Sequence, residues 1–251
     1  MLASLLATLL ALASAPQNLP ERPAITVSAA VSLTDALTAV AQEYARSGGG
    51  TVRFNFAASN ILARQIVDGA PVDVFISADA AQMDVVARAG LLKDESRVDL
   101  LTNQLAVVVP NDRQRTFTSI NDLTGQAYRR IAIGDPEAVP AGVYAKQYLE
   151  REGLWAAIAS RIVPSTSVRA ALAAVESGAA DAAIVYRTDA RLARRASIAW
   201  IVPAERGPRI VYPAAIVRTS KEPGESQRFV NFLRSTAAAR VFERFGFRTA
   251  R

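Results

Sequence analysis

From Ile25 onward the chain alternates short β-branched runs with longer amphipathic stretches: ITVSAA, SLTDALTAVAQEYARS, VRFNFAAS, ILARQIVDG, VDVFISA and AQMDVVARAG. Short apolar runs read as strands, and apolar positions recurring every three to four residues read as helices. This βαβαβα order predicts parallel strands joined by crossover helices. In the first amphipathic stretch Leu33, Leu37, Val40 and Tyr44 fall on one helical face, and Gly48 to Gly50 end it.

The same logic recurs further on as RRIAIGD, VPAGVYAKQYLEREG, SRIVPS, SVRAALAAVESG and DAAIVYR. Between the two units lies LLTNQLAVVVP, and after the second comes RIVYPAAIVRTS; both are strand-like and read as paired crossovers between two α/β lobes. The stretch SQRFVNFLRSTAAARVFERFGF is amphipathic and ends at Gly246, which predicts a helix returning to the first lobe. Residues 24–102 and 213–251 are therefore expected to form lobe I, and residues 103–212 lobe II.

Ahead of this lies an uncharged N-terminal stretch, MLASLLATLLALASAPQNLP, whose apolar run from Leu2 to Ala13 is shorter than the ~20 residues of a spanning helix. Small residues at Ala11 and Ala13, or Ala13 and Ala15, fit an A-x-A cleavage site. Residues 1–20 are expected to be a signal peptide, although no basic residue precedes the apolar run, and the mature protein is expected to be exported and soluble.

Composition narrows the chemistry further. Of 251 residues, 51% are hydrophobic and 21% charged, as in a packed globular protein. With no cysteine there is no disulfide framework, thiolate metal site or lipid-anchor cysteine. With no histidine, Ser-His-Asp triads and His-ligated zinc sites are excluded too. The net charge of +6 comes mostly from dispersed arginines without interleaved aromatics, so no nucleic-acid partner is expected. Arg187, Arg191, Arg194 and Arg195 read as one exposed helix face.

In open α/β sheets ligands bind beyond the carboxyl ends of strands, where helix N-termini present unpaired N–H groups. Four strand-to-helix junctions are candidates. Ser32 with Asp35 three residues later matches a capping box, and capping explains it as well as ligand binding does. Ser59 and Asn60 at the second junction are good caps and good anion donors. Pro140 suits a first helical turn at the third, where Ala141 and Gly142 offer unobstructed backbone N–H groups. At the fourth, Ser167 can cap while the Val168 amide lies in the first turn. Tyr186 ends the run Ala182 to Val185; its hydroxyl is either a ligand donor or a core group satisfied elsewhere. Asp79, Asp135 and Glu137 would repel an anion, and are assigned to capping, turns or lobe closure.

The motifs AAVSLTDAL, FAASNILARQIVDGAPVDVFISAD, GDPEAVPAGVYAKQYL, VRAALAAVESGAADAAIVY and RFGF, in this order from Ile25 to Phe247, resemble the periplasmic molybdate-binding proteins of ABC-type importers. The resemblance implies a two-lobed type II periplasmic binding protein fold of α/β class, each lobe a mostly parallel sheet flanked by helices. It implies an oxyanion, molybdate or tungstate, held by neutral donors at Ser32, Ser59, Ala141, Val168 and Tyr186, with molybdenum bound only as that oxyanion. It further implies no cofactor, no catalytic residue, a monomer, and a membrane permease as partner. Val31 and Ala138 depart from residues common in that family without removing a donor. Alternatives are a binder of sulfate, thiosulfate or phosphate, a serine-dependent enzyme using Ser32 or Ser59, and an intracellular effector-sensing module. The enzyme has little support, because Lys93, Lys146 and Lys221 are the only lysines and none adjoins those serines.

Overall fold

A computed structural model describes residues 22–113 and 117–250. The expected signal peptide, residues 1–20, lies outside the described residues.

Two sheets organise the chain. The first has the order β11-β4-β10-β3-β1-β2, from β1 (Ile25–Ala30), β2 (Val52–Ala57), β3 (Val74–Ile76), β4 (Val98–Asn103), β10 (Ile210–Ile216) and β11 (Arg248–Thr249). The second has the order β7-β6-β8-β5-β9, from β5 (Leu105–Pro110), β6 (Ile131–Gly134), β7 (Ile162–Ser165), β8 (Ala182–Tyr186) and β9 (Ala196–Ile201). Strands β2, β1 and β3 are mutually parallel, as are β7, β6 and β8. Strands β10 and β5 are antiparallel to these sets because each arrives from the other sheet rather than over a crossover helix.

The helices are α1 (Thr34–Arg46), α2 (Ser59–Val67), α3 (Ala80–Arg88), α4 (Pro140–Arg151), α5 (Trp155–Ile158), α6 (Val168–Glu176), α7 (Arg187–Ala190), α8 (Pro223–Leu233) and α9 (Thr236–Arg244). Leu37, Val40 and Tyr44 of α1 are buried as their spacing predicts, each such apolar side chain contributing about 1.5 to 3 kcal/mol. One apolar cluster runs through both sheets, and a smaller one lies between α2, α3 and the first sheet around Leu62, Phe75 and Met83.

The run LLTNQLAVVVP is not one crossing strand. It divides at Gln104, with β4 in the first sheet and β5 in the second. The run RIVYPAAIVRTS supplies β10, which lies wholly in the first sheet from Ile210, ahead of the boundary expected at 213. The return passage is therefore the segment between β9 and β10, and β9 is a strand that the alternation did not single out.

The C-terminal amphipathic stretch, expected as one helix, is two. It breaks at Arg234 and restarts where the Ser235 side chain accepts from the Ala238 amide at 3.2 Å. It returns to the first sheet as expected: α9 packs on α1, and β11 pairs with β4. Among the arginines read as one helix face, only Arg187 is helical, since α7 is four residues long; Arg187 is half-buried and donates to the Gln104 side chain at 3.1 Å.

Candidate functional site

Segments that follow the carboxyl ends of β1, β2, β3, β6 and β7, with the end of β8, converge between the two sheets. All five residues singled out from the sequence, Ser32, Ser59, Ala141, Val168 and Tyr186, line one cavity there, walled by Ala30, Val31, Ala58, Ala78, Val139 and Pro140. The space is small, about 10 Å³ for the centre of a water-sized sphere, far below the ~300 to 1,000 Å³ of sites for drug-sized molecules. No lining residue carries a charge.

Local structure differs from the expected caps. Ser32 lies in a 3-10 turn, Val31–Leu33, and the N-cap of α1 is Leu33, so no capping box forms. Asp35 instead reaches Arg169 of α6 at 2.7 Å. Ser59 is the first residue of α2 rather than its cap, and its side chain makes no cap bond. Freed from capping, both hydroxyls take another role.

The Ala78 amide donates to Ser59 Oγ at 2.9 Å. Asn103 Nδ2 donates to the Tyr212 hydroxyl at 3.1 Å, which lies 3.2 Å from Ser32 Oγ. With its oxygen receiving from Asn103, Tyr212 can pass its own proton to Ser32. The Ser59 oxygen thus accepts from a protein donor, and the Ser32 oxygen can do the same from Tyr212, an arrangement that frees each serine proton for the cavity. Sequence reasoning missed Asn103 and Tyr212, because they come from β4 and β10, remote from every strand-to-helix junction.

Amides complete the donor set. Ala141 and Val168 lie in the first turns of α4 and α6, where N–H groups have no intrahelical acceptor and the helix dipole favours negative charge. Ser167 caps α6 as expected, accepting from the Ala170 amide at 3.1 Å. The close backbone approach inferred at Gly142 is real, but it serves packing: a Cβ there would lie 1.9 Å from the Gly134 carbonyl oxygen. Gly142 thereby seats the start of α4 against the end of β6.

Tyr186, at the end of β8, is fully buried, and its hydroxyl has no hydrogen-bond partner in the protein. Burial pushes its pKa well above that of a free phenol, reinforced by Tyr212 and Tyr144 nearby, so the group stays a neutral donor. A buried hydroxyl without a partner costs about 1 to 3 kcal/mol. A bound acceptor in the cavity would remove that cost.

The acidic residues serve structure. Asp79 caps α3, accepting from the Gln82 amide at 2.9 Å, and burial raises its pKa. Asp135 accepts from the Glu137 amide at 2.9 Å in a turn, and Glu137 pairs with Lys146 at 2.5 Å. Among the described residues no group of acidic side chains is arranged to hold a metal cation.

The pattern of the bacterial extracellular solute-binding proteins matches residues 25–248. The chain belongs to that family. This solute-binding protein is 37% identical over 247 residues to the molybdate-binding protein ModA of Escherichia coli, covering 95% of this chain and 94% of the relative. Among solved structures it is similar to the periplasmic molybdate-binding protein of Azotobacter vinelandii, with a TM-score of 0.82 and 26% identity over 90% of this chain and all (100%) of that one. It is also similar to the substrate-binding domain of a putative molybdenum ABC transporter from Clostridium difficile, with a TM-score of 0.72 and 31% identity over 91% and 99% of the two chains. The two-lobed α/β architecture of this solute-binding protein is that of periplasmic binding proteins.

Proposed function

We propose that this protein captures molybdate, and tungstate in the same way, between its two lobes, and delivers it to the membrane permease of an ABC importer. The observation that carries the reading is the buried, unpartnered Tyr186 hydroxyl in a small cavity whose other polar groups are also neutral donors. The donors are the hydroxyls and amides of Ser32 and Ser59, the amides of Ala141 and Val168, and the Tyr186 hydroxyl. An oxyanion without protons can accept from all of them, whereas a cation or a protonated ligand would leave like polarities facing each other. The names of the relatives supply the choice of molybdate among oxyanions.

A dianion taken from water without a countercharge needs many preorganised donors, each charge-assisted bond contributing about 1.5 to 3 kcal/mol. Sulfate is smaller, and missing two donors would cost it about 3 to 6 kcal/mol, a factor of about 10² to 10⁴ in affinity. In this reading the protein works as a periplasmic monomer without cofactor or catalysis; no helix among the described residues is long and apolar enough to cross a membrane.

Calorimetric titration with molybdate, tungstate, sulfate and phosphate tests this. The expected result is near-stoichiometric binding of the first two with little response to the others. Equal binding of sulfate would overturn the substrate, and no binding of any oxyanion would overturn the function.

A further inference from the structure

Arg169 follows Val168 directly at the start of α6, whose N-terminal end packs on the Val31–Leu33 turn that carries Ser32. Its guanidinium joins two carboxylates. Nε donates to Asp189, which is fully buried within the second lobe, and the terminal NH2 donates to Asp35 of the first lobe at 2.7 Å. Among the described residues no other ion pair joins the first sheet's helices to those of the second. The bridge is open to solvent on one side, with Arg169 partly buried at 27% and Asp35 exposed at 44%.

We propose that Arg169 is a positioning residue for ligand retention: Asp189 holds its guanidinium in place, and the bond to Asp35 latches the lobes together beside the oxyanion site. The inference rests on the oxyanion-binding reading. Asp189 supplies the rigidity, because an arginine already fixed on its own lobe loses little further freedom when Asp35 docks. The Asp35 carboxylate compensates the guanidinium charge, so a cation one residue from the Val168 amide leaves the anion to neutral donors. Without Asp35 the ligand would still meet every donor, yet the closed lobes would part more readily. The latch therefore acts on release rather than on capture.

Asp35→Ala tests it, since Asp35 is exposed and its removal leaves the part-buried Arg169–Asp189 pair intact. Stopped-flow tryptophan fluorescence, with Trp155 and Trp200 as reporters, should show molybdate release accelerated about 2- to 5-fold with association within about twofold of wild type. Asp35→Glu should recover part of the difference. Raising NaCl to about 1 M should accelerate release from wild type more than from Asp35→Ala, because only wild type has the bridge to screen. Release at the wild-type rate in Asp35→Ala would overturn the latch.

Closure can be read separately. The chain has no cysteine, so spin labels on two introduced cysteines, one on α2 and one on α4, report interlobe distance without background. Ligand-free Asp35→Ala should populate the closed distance less than wild type; equal populations would overturn the latch. If wild type binds no oxyanion, the functional reading fails and this distance comparison still decides the latch.

Discussion

Asn103 and Tyr212 form a hydrogen-bonded pair, 3.1 Å from amide nitrogen to phenol oxygen, that backs the Ser32 hydroxyl at the cavity wall. Neither residue lines the cavity. Asn103 also donates to Thr188 of α7 at 2.9 Å, so the pair joins the end of β4 to the second lobe. Tyr212 in turn packs its ring against Tyr186, with centroids 5.8 Å apart. The pair prepares one donor and supports another.

Tyr212→Phe removes the group that occupies the Ser32 oxygen and keeps the ring. Ser32 is then free to rotate, and molybdate affinity should fall by about 1 kcal/mol, roughly fivefold. Calorimetry on the variant checks this, with an unchanged circular dichroism spectrum as the control for folding.

Tyr186→Phe should separate binding from stability. The hydroxyl has no partner in the protein, so its removal should leave the ligand-free protein as stable as wild type or slightly more so. Affinity for molybdate should fall by about 1.5 to 3 kcal/mol, because a charge-assisted bond is lost. Thermal melts with and without molybdate measure both, and a loss of ligand-free stability would show that the hydroxyl has a structural role instead.

Gly142→Ala should fail on packing. With the added carbon 1.9 Å from the Gly134 carbonyl oxygen and 2.6 Å from that of Asp135, both backbone atoms, α4 has to move. We expect a loss of about 1 to 3 kcal/mol, as for other overpacked sites, measured by urea unfolding. Molybdate binding should weaken as well, because the Ala141 amide moves with the helix.

Asp189 gives a pH dependence of unusual sign for a carboxylate. Burial pushes its pKa to about 7 against the pull of Arg169, whereas an unfolded aspartate titrates near ~3.9. Between those values the native protein holds a proton that the unfolded chain has lost. This group's contribution to stability is therefore fullest below about pH 4, declines as pH rises through 7, and is level above that. Urea midpoints from pH 5 to 8 should show the decline, and Asp189→Asn should flatten it.

The fold was legible wherever local patterning governs it. The spacing of Leu33, Leu37, Val40 and Tyr44 places the buried face of α1, and the alternation of strands and helices marks both parallel sets. It failed where one amphipathic pattern spans two elements: α8 and α9 share an apolar face, and only the Ser235 cap divides them. Similarly, β4 and β5 read as one apolar run, although each joins a different sheet.

By itself the sequence determined which residues could be neutral donors, since strand-to-helix junctions rich in serine and small residues follow from local order. Tertiary structure alone decided what each donor does. Whether Ser32 caps a helix or turns its proton to a ligand depends on Tyr212 and Asn103, which are far away in the chain and adjacent only once β10 pairs with β4. Asp35 likewise fits a local cap in sequence and makes a bond between lobes in the fold. A hydroxyl or carboxylate can satisfy itself locally or at long range, and the choice is made by which partners the packed sheets bring within hydrogen-bond distance.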